Sequence, residues 1–168
     1  AIVQMSEELD GSPLAIRLTA GRLKELRPHE ILNLLPERLP HITDHHAQSE
    51  RLHLALSLSW DGLSELEQGL IRIMAWVPAP LSIEHIQALL PKQGGLEFRQ
   101  VQTMVQGLDE RSFLLPLRDE ADEAPPRWGL LKSVRRFAQM QGQDGLEKNQ
   151  ALKRLLLDFF LKAIGHGL

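Results

Sequence analysis

The chain of 168 residues contains no cysteine. Disulfide frameworks, thiolate zinc sites and cysteine nucleophiles are therefore excluded as the basis of its fold or its chemistry. No apolar run approaches the roughly 18 residues needed to cross a bilayer, and the N-terminus lacks a basic segment followed by an apolar one. We therefore expect a cytoplasmic protein without a membrane partner.

Neither sign of charge dominates the chain. The 19 basic and 22 acidic residues give a formal net charge of −3, and 43% of the residues are hydrophobic. A balance of this kind gives no global attraction to nucleic acid or to anionic membranes. The length suits one ordinary domain or two small packed ones.

The sequence patterns of common hydrolytic sites are also missing. Without a Gly-Lys pair there is no glycine-rich loop of the form G-x-x-x-x-G-K-[ST], which cradles nucleotide phosphates with backbone N–H groups. No apolar strand ends in paired acids that could hold Mg²⁺, and neither G-x-S-x-G nor H-E-x-x-H occurs. We therefore predict no catalytic residues, and a chain that cannot hydrolyse ATP by this route.

The run Gly11-Ser12-Pro13 opens the strongest helix of the N-terminal part. Ser12 can cap that helix by accepting a backbone N–H, and Pro13 fits the first helical position, where its missing donor costs nothing. Leucines at helical spacing extend the helix to about Leu26. On local physics alone, this is the start of a helix that packs into a core.

The other helices of this part are short. One is predicted over Ile2 to Leu9, and another begins at Pro28 and is closed by Pro36 and Pro40. We assign residues 1–42 to a small helical subdomain, followed by a polar and aperiodic linker over 43–50.

Three histidines in and before this linker raise the question of a metal site. His41 and His45 are four residues apart, as are ligands on one helix face, with His46 and Asp44 beside them. Assembling ligands from a linker costs ordering entropy. We therefore predict no metal ion.

Residues 51–142 predict three helices followed by a two-stranded ribbon. Ser64 and Glu67 form an S-x-x-E capping box at the start of one helix. Short apolar runs begin at Phe113 and Arg127, with a polar insert between them. Three helices and then a ribbon is the order of a winged helix.

A last amphipathic helix is predicted over 146–168. The expected fold is thus mainly α: a helical subdomain, a winged helix with a two-stranded β-ribbon, and a C-terminal helix.

Four segments resemble one known family. GSPLAIRLTAGRL is similar to the GLPLA-type motif of the signal-transduction ATPases with numerous domains, the NB-ARC-like class. LALSLSWDGLSELEQGLIRIMAWV, VQGLDERSFLLPL and RWGLLKSVRRFAQMQ resemble segments of the bacterial transcriptional regulators in this class. The four stand in the family's order and at roughly its spacing. The resemblance implies a regulatory fragment of a longer ATPase, without the P-loop domain.

The resemblance also implies site residues. Pro13, with Gly11 before it, would contact the adenine of ADP or ATP that an N-terminal P-loop domain of the parent protein holds together with Mg²⁺. The winged helix would be the lever that couples nucleotide state to output, ahead of a downstream helical-repeat sensor. Where the family often has a phosphate-contacting histidine this chain has Leu131, so Lys132 or Arg135 would have to supply the charge. Otherwise these two are a surface lysine and a salt-bridged arginine. The fragment alone is expected to need no cofactor.

DNA binding by the winged helix is the main alternative. Its contacts would be Arg99, Gln102 and Gln106 on the candidate recognition helix. Residues 109–123, at the end of that helix and in the wing, hold six acids and only two arginines. Phosphate neutralisation supplies most DNA affinity, so we expect no direct DNA binding by this region. A protein-interaction module with partners in trans is a third possibility.

Overall fold

The computed structural model describes residues 2–9, 11–38, 47–90, 97–117 and 125–141. Over these ranges the protein is mainly helical, with one two-stranded antiparallel sheet, which confirms the expected fold class. The helices and strands, in chain order, are α1 (Ile2–Glu8), α2 (Pro13–Gly21), a 3₁₀ helix (Arg22–Lys24), α3 (Pro28–Arg38), α4 (Ala47–Trp60), α5 (Glu65–Met74), α6 (Ile83–Leu89), α7 (Phe98–Glu110), β1 (Leu115–Leu117), β2 (Arg127–Gly129) and α8 (Lys132–Gln141).

The chain divides into two compact units at a different place from the one expected. The first unit contains Ala1–Ser64 and Glu110–Phe113, and the second contains Glu65–Asp109 and Leu114–Leu168. Helix α4 therefore belongs with the N-terminal helices and not with the winged helix. The predicted linker is wrong for residues 47–50, because α4 already begins at Ala47.

Packing explains why α4 joins the first unit. Leu54, Ala55 and Leu58 are buried on α4, which packs against α2. The hydroxyl of Ser59 donates a buried hydrogen bond of 2.8 Å to the carbonyl of Leu18 on α2. The first turn of α4 is polar, so it does not show which unit the helix joins. The apolar face further along α4 decides where the helix packs.

Helix α2 begins as predicted. Pro13 occupies its first position, and the Ser12 hydroxyl accepts a hydrogen bond from the Ala15 N–H at 3.5 Å. The helix ends at Gly21, earlier than the leucine spacing predicts. The Arg22 N–H bonds back to Thr19 and the chain continues as the 3₁₀ helix, so the last turn tightens and the regular helix stops.

Helix α3 begins at Pro28 as predicted, and it continues past Pro36, the first of the two prolines expected to close it. The helix continues to Arg38, with Ile31 and Leu35 buried. A proline removes one N–H donor, and near the end of a helix that loss is small enough for packing to override it. The sequence therefore places the start of this helix correctly, and the helix ends between the two prolines, at Arg38.

The second unit has the order of a winged helix. After α5, Leu81 forms an isolated bridge with Trp128; α6, α7, β1, β2 and α8 follow. Leu81 and Trp128 exchange both backbone hydrogen bonds, at 2.9 and 2.7 Å. Strand β2 therefore lies between Leu81 and β1, and the bridge adds a short third element that the sequence does not predict.

Proline in the middle of β1 is explained by the register. Pro116 pairs with Trp128, whose N–H and C=O are both used by Leu81 on the other side of β2. In an antiparallel ladder the neighbouring pairs then carry the bonds between β1 and β2, and the backbone groups of Pro116 point away from β2. Proline loses no ladder bond at such an edge position.

Three helices supply many of the buried side chains of the second unit, and α6 adds Ile86 and Leu89. The three sets are Leu70, Ile71, Ile73 and Met74 of α5, Val101, Val105 and Leu108 of α7, and Val134, Phe137 and Ala138 of α8. Each set recurs at helical spacing, which is why the sequence places these helices well.

Several predictions fall outside the described residues. These are the C-terminal helix over 146–168, most of the polar insert of the wing, and the group of His41, Asp44, His45 and His46. Within the described ranges, no cluster of three or more potential metal ligands of the His, Cys, Asp or Glu type occurs. In the same ranges, none of the helices has the length and apolar character required to span a membrane.

Ser112 lies in the turn after α7 in a left-handed conformation, with φ of 63°. Its side chain is buried, and its hydroxyl has no hydrogen-bond partner within the described part of the chain. A left-handed residue just after a helix is normally glycine, since a Cβ is strained there. We expect Ser112→Gly to raise the free energy of unfolding by about 1 kcal/mol, measured by urea denaturation.

Ser112→Ala is the matched control for this prediction. It removes the unpaired hydroxyl but keeps the Cβ in the left-handed region. If Ser112→Gly is no more stable than Ser112→Ala, the backbone at this position is not strained.

Candidate functional site

The Gly11-Ser12-Pro13 corner lies at the start of α2 in the first unit. Gly11 is left-handed, with φ of 65°, and a Cβ built there would meet no atom within 4 Å. Both Gly11 and Pro13 are exposed, and Ser12 is half-buried by its capping role. The corner therefore presents the Gly11 backbone and the Pro13 ring at the surface of the first unit.

The helix behind this corner is firmly held. Ala15 and Leu18 are completely buried, and the Thr19 hydroxyl donates to the Ala15 carbonyl at 2.8 Å. The corner itself is tied to α1, because the Gly11 N–H donates to the Ser6 carbonyl at 3.0 Å. Pro13 thus begins a helix whose inner face is buried and whose start is hydrogen-bonded to α1.

Arg135 in the second unit is engaged with backbone carbonyls. Its Nη1 donates to the carbonyl oxygens of Met74, Ala75 and Val77 at 3.2, 3.0 and 2.6 Å. The Gln139 Nε2 adds a bond of 3.0 Å to the Ala75 carbonyl. The guanidinium therefore lies at the C-terminal end of α5, where a cation is favourable. The Met74 carbonyl also accepts from the Val77 N–H at 3.1 Å, so Arg135 is a second donor there. Burial lowers the pKa of Arg135 below its usual range.

Lys132, the other basic candidate, is placed differently. It is the first residue of α8, and its side chain is exposed. In the described part of the chain it takes part in no ion pair. The two candidate cations thus differ in accessibility: Lys132 can meet an incoming anion, whereas one terminal nitrogen of Arg135 is already bonded to the protein.

The three candidate DNA contacts lie together on α7. Arg99, Gln102 and Gln106 are all exposed, and their spacing of three and four residues places them on one face of the helix. Of these three side chains only Arg99 is charged. This face can offer hydrogen bonds to base edges, but it has little to neutralise phosphates.

A group of charged residues that the sequence analysis did not predict lies in the first unit. Arg22 pairs with Glu25, whose carboxylate also lies 3.5 Å from the Arg111 guanidinium. Lys24 and Glu110 form an ion pair at 2.5 Å, and the Lys24 ammonium lowers the pKa of Glu110. Arg22 and Glu25 are only three residues apart, but Lys24–Glu110 and Glu25–Arg111 join residues distant in sequence, which no local pattern predicts.

Two comparisons with known proteins add no family assignment. No protein-family model matches this chain, and a search of curated proteins finds no match either.

Proposed function

We propose that this chain is the helical and winged-helix part of a bacterial signal-transduction ATPase of the NB-ARC-like class. In this proposal it is a cytoplasmic regulatory lever, not an enzyme. One observation carries it: a helix that starts at an exposed Gly-Ser-Pro corner, with a left-handed glycine, precedes a winged helix in the chain order of that class.

The proposed ligand is ADP or ATP, held mainly by an N-terminal P-loop domain of the parent protein together with Mg²⁺. Pro13 would lie against the adenine and Gly11 would let the backbone approach it closely. Lys132 is the more accessible cation for a phosphate, and Arg135 would support α8 through the end of α5. A downstream helical-repeat sensor would be a further partner of the same chain.

We expect the chain alone to bind nucleotide very weakly, because it has no phosphate-cradling loop. Isothermal calorimetry with ADP and Mg²⁺ should show no saturation at nucleotide concentrations below about 1 mM. A dissociation constant of about 1 mM corresponds to a binding free energy of about −4 kcal/mol, which a few exposed contacts can supply. Micromolar binding by the chain alone would contradict the proposal.

The parent protein provides the sharper test. A glycine-rich loop with Lys-Ser/Thr should be encoded within about 250 residues upstream of Ala1, the size scale of such a domain. In that protein, Pro13→Ala should weaken binding of a fluorescent ADP analogue about tenfold. Pro125→Ala, at another exposed proline, is the control and should leave the affinity unchanged. An upstream region without such a loop would refute the proposal.

DNA binding remains the second candidate, favoured by the shared solvent face of Arg99, Gln102 and Gln106. With a single cation on that face, we expect no retarded band when the chain is mixed with duplex DNA at low salt. A clear band that is lost on Arg99→Ala, and weakened by added salt, would favour DNA binding over nucleotide-dependent regulation.

A further inference from the structure

The first compact unit is discontinuous in sequence. Besides the N-terminal helices it contains the four residues Glu110–Phe113, whose neighbours on both sides belong to the second unit. We call these four residues the α7–β1 turn. Helix α7 ends in this turn and β1 follows it. A piece of chain that links two elements of the winged helix is therefore part of the packing of the other unit.

The α7–β1 turn is anchored by an aromatic side chain. Phe113 is completely buried, and its ring meets the Trp60 ring edge to face, with centroids 6.3 Å apart and planes at 61°. Trp60, the last residue of α4, is itself buried. Aromatic pairs in this geometry contribute more than their buried area alone. Phe113, the last residue of the α7–β1 turn, is thus part of the core of the first unit.

Polar contacts of Arg111 also hold the α7–β1 turn. The Arg111 Nη1 donates to the Gly62 carbonyl at 3.3 Å, and its Nη2 lies 3.5 Å from the Glu25 carboxylate. The Arg111 Cα would lie 3.5 Å from a Cβ built at Gly21, so the turn backbone passes close to the end of α2. Three independent features, a ring contact, an ion pair and a close backbone approach, therefore fix the turn.

We propose that the α7–β1 turn makes the folding of the two units one cooperative process. The first unit cannot complete its core around Trp60 until the chain has reversed direction after α7. Release of the turn would in the same way free the end of α7 and the start of β1. A destabilising change inside the first unit therefore also lowers the stability of the winged helix. This proposal does not depend on nucleotide binding or on any ligand.

Native-state hydrogen exchange of the full chain tests this coupling. Ile31→Val removes one buried methyl group from α3 in the first unit. We expect it to lower the protection of α5 and α7 amides, in the second unit, about threefold to tenfold. With the turn weakened by Arg111→Ala and Phe113→Leu, the same substitution should change those amides less than twofold. It should still lower the protection of α2 and α4 amides as before.

Two results would overturn the proposal. If Ile31→Val leaves the α5 and α7 amides unchanged with the natural turn, the units unfold independently. If it affects them equally with the natural and the weakened turn, the coupling runs through other residues. If the protein with both substitutions fails to fold, Arg111→Ala alone serves as the weakened turn. The α5 and α7 amides are then compared in the same way. Val105→Ala in α7 supplies the reciprocal measurement, read at amides of α2 and α4.

Discussion

Replacing Arg135 with alanine is expected to lower the free energy of unfolding by about 1 to 3 kcal/mol. The substitution removes one donor group from three carbonyl oxygens, at 2.6 to 3.2 Å. The Met74 and Ala75 carbonyls keep the Val77 N–H and the Gln139 amide as donors, so the Val77 carbonyl, with the shortest of the three contacts, is affected most. Hydrogen bonds from a charged donor are stronger than neutral ones, and the loss of this donor from the part-buried Val77 carbonyl adds to the cost.

Urea denaturation followed by circular dichroism measures this effect. Arg136→Ala is the matched control, since Arg136 is the next residue of α8 and its side chain is exposed. Its effect should stay within about 0.5 kcal/mol. Arg135→Lys should recover only part of the stability, because an ammonium lacks the planar fork of a guanidinium. Equal midpoints for Arg135→Ala and Arg136→Ala would show that the carbonyl contacts contribute nothing.

Replacing Phe113 with alanine is expected to cost about 3 to 5 kcal/mol. The ring is completely buried, and its removal leaves a cavity beside Trp60 as well as a lost aromatic contact. Besides the shift in the urea midpoint, the tryptophan emission should move to longer wavelength as water reaches the Trp60 indole.

Phe98→Ala is the control for this prediction. Phe98 begins α7 and is 43% exposed, so its loss should cost well under 1 kcal/mol. A Phe113→Ala protein as stable as the Phe98→Ala protein would mean that the first unit does not depend on the α7–β1 turn.

The features that the sequence predicts well are set by neighbouring residues. The cap at Ser12 and the start of α2 at Pro13 depend on contacts within four positions, and the structure has both. The ribbon of the wing is likewise signalled by two short apolar runs. The corner proposed to meet the nucleotide belongs to this class, which is why its residues could be named from the sequence while their role stays a proposal.

The features that the sequence does not predict depend on distant residues. The acceptors of Arg135 lie 58 to 61 positions away along the chain, and Phe113 meets a ring at the end of α4. No periodicity or motif in the sequence predicts contacts between residues this far apart. The assignment of α4 to the winged helix was wrong for the same reason, because a helix joins the unit that covers its apolar face.

The proline in β1 has a consequence for how copies of this protein behave at high concentration. A bare sheet edge can recruit a strand from another molecule and so begin ordered aggregation. At the outward position of β1, Pro116 offers no N–H for that purpose. The wing can therefore remain a two-stranded edge in crowded solution without serving as a template for intermolecular β-structure.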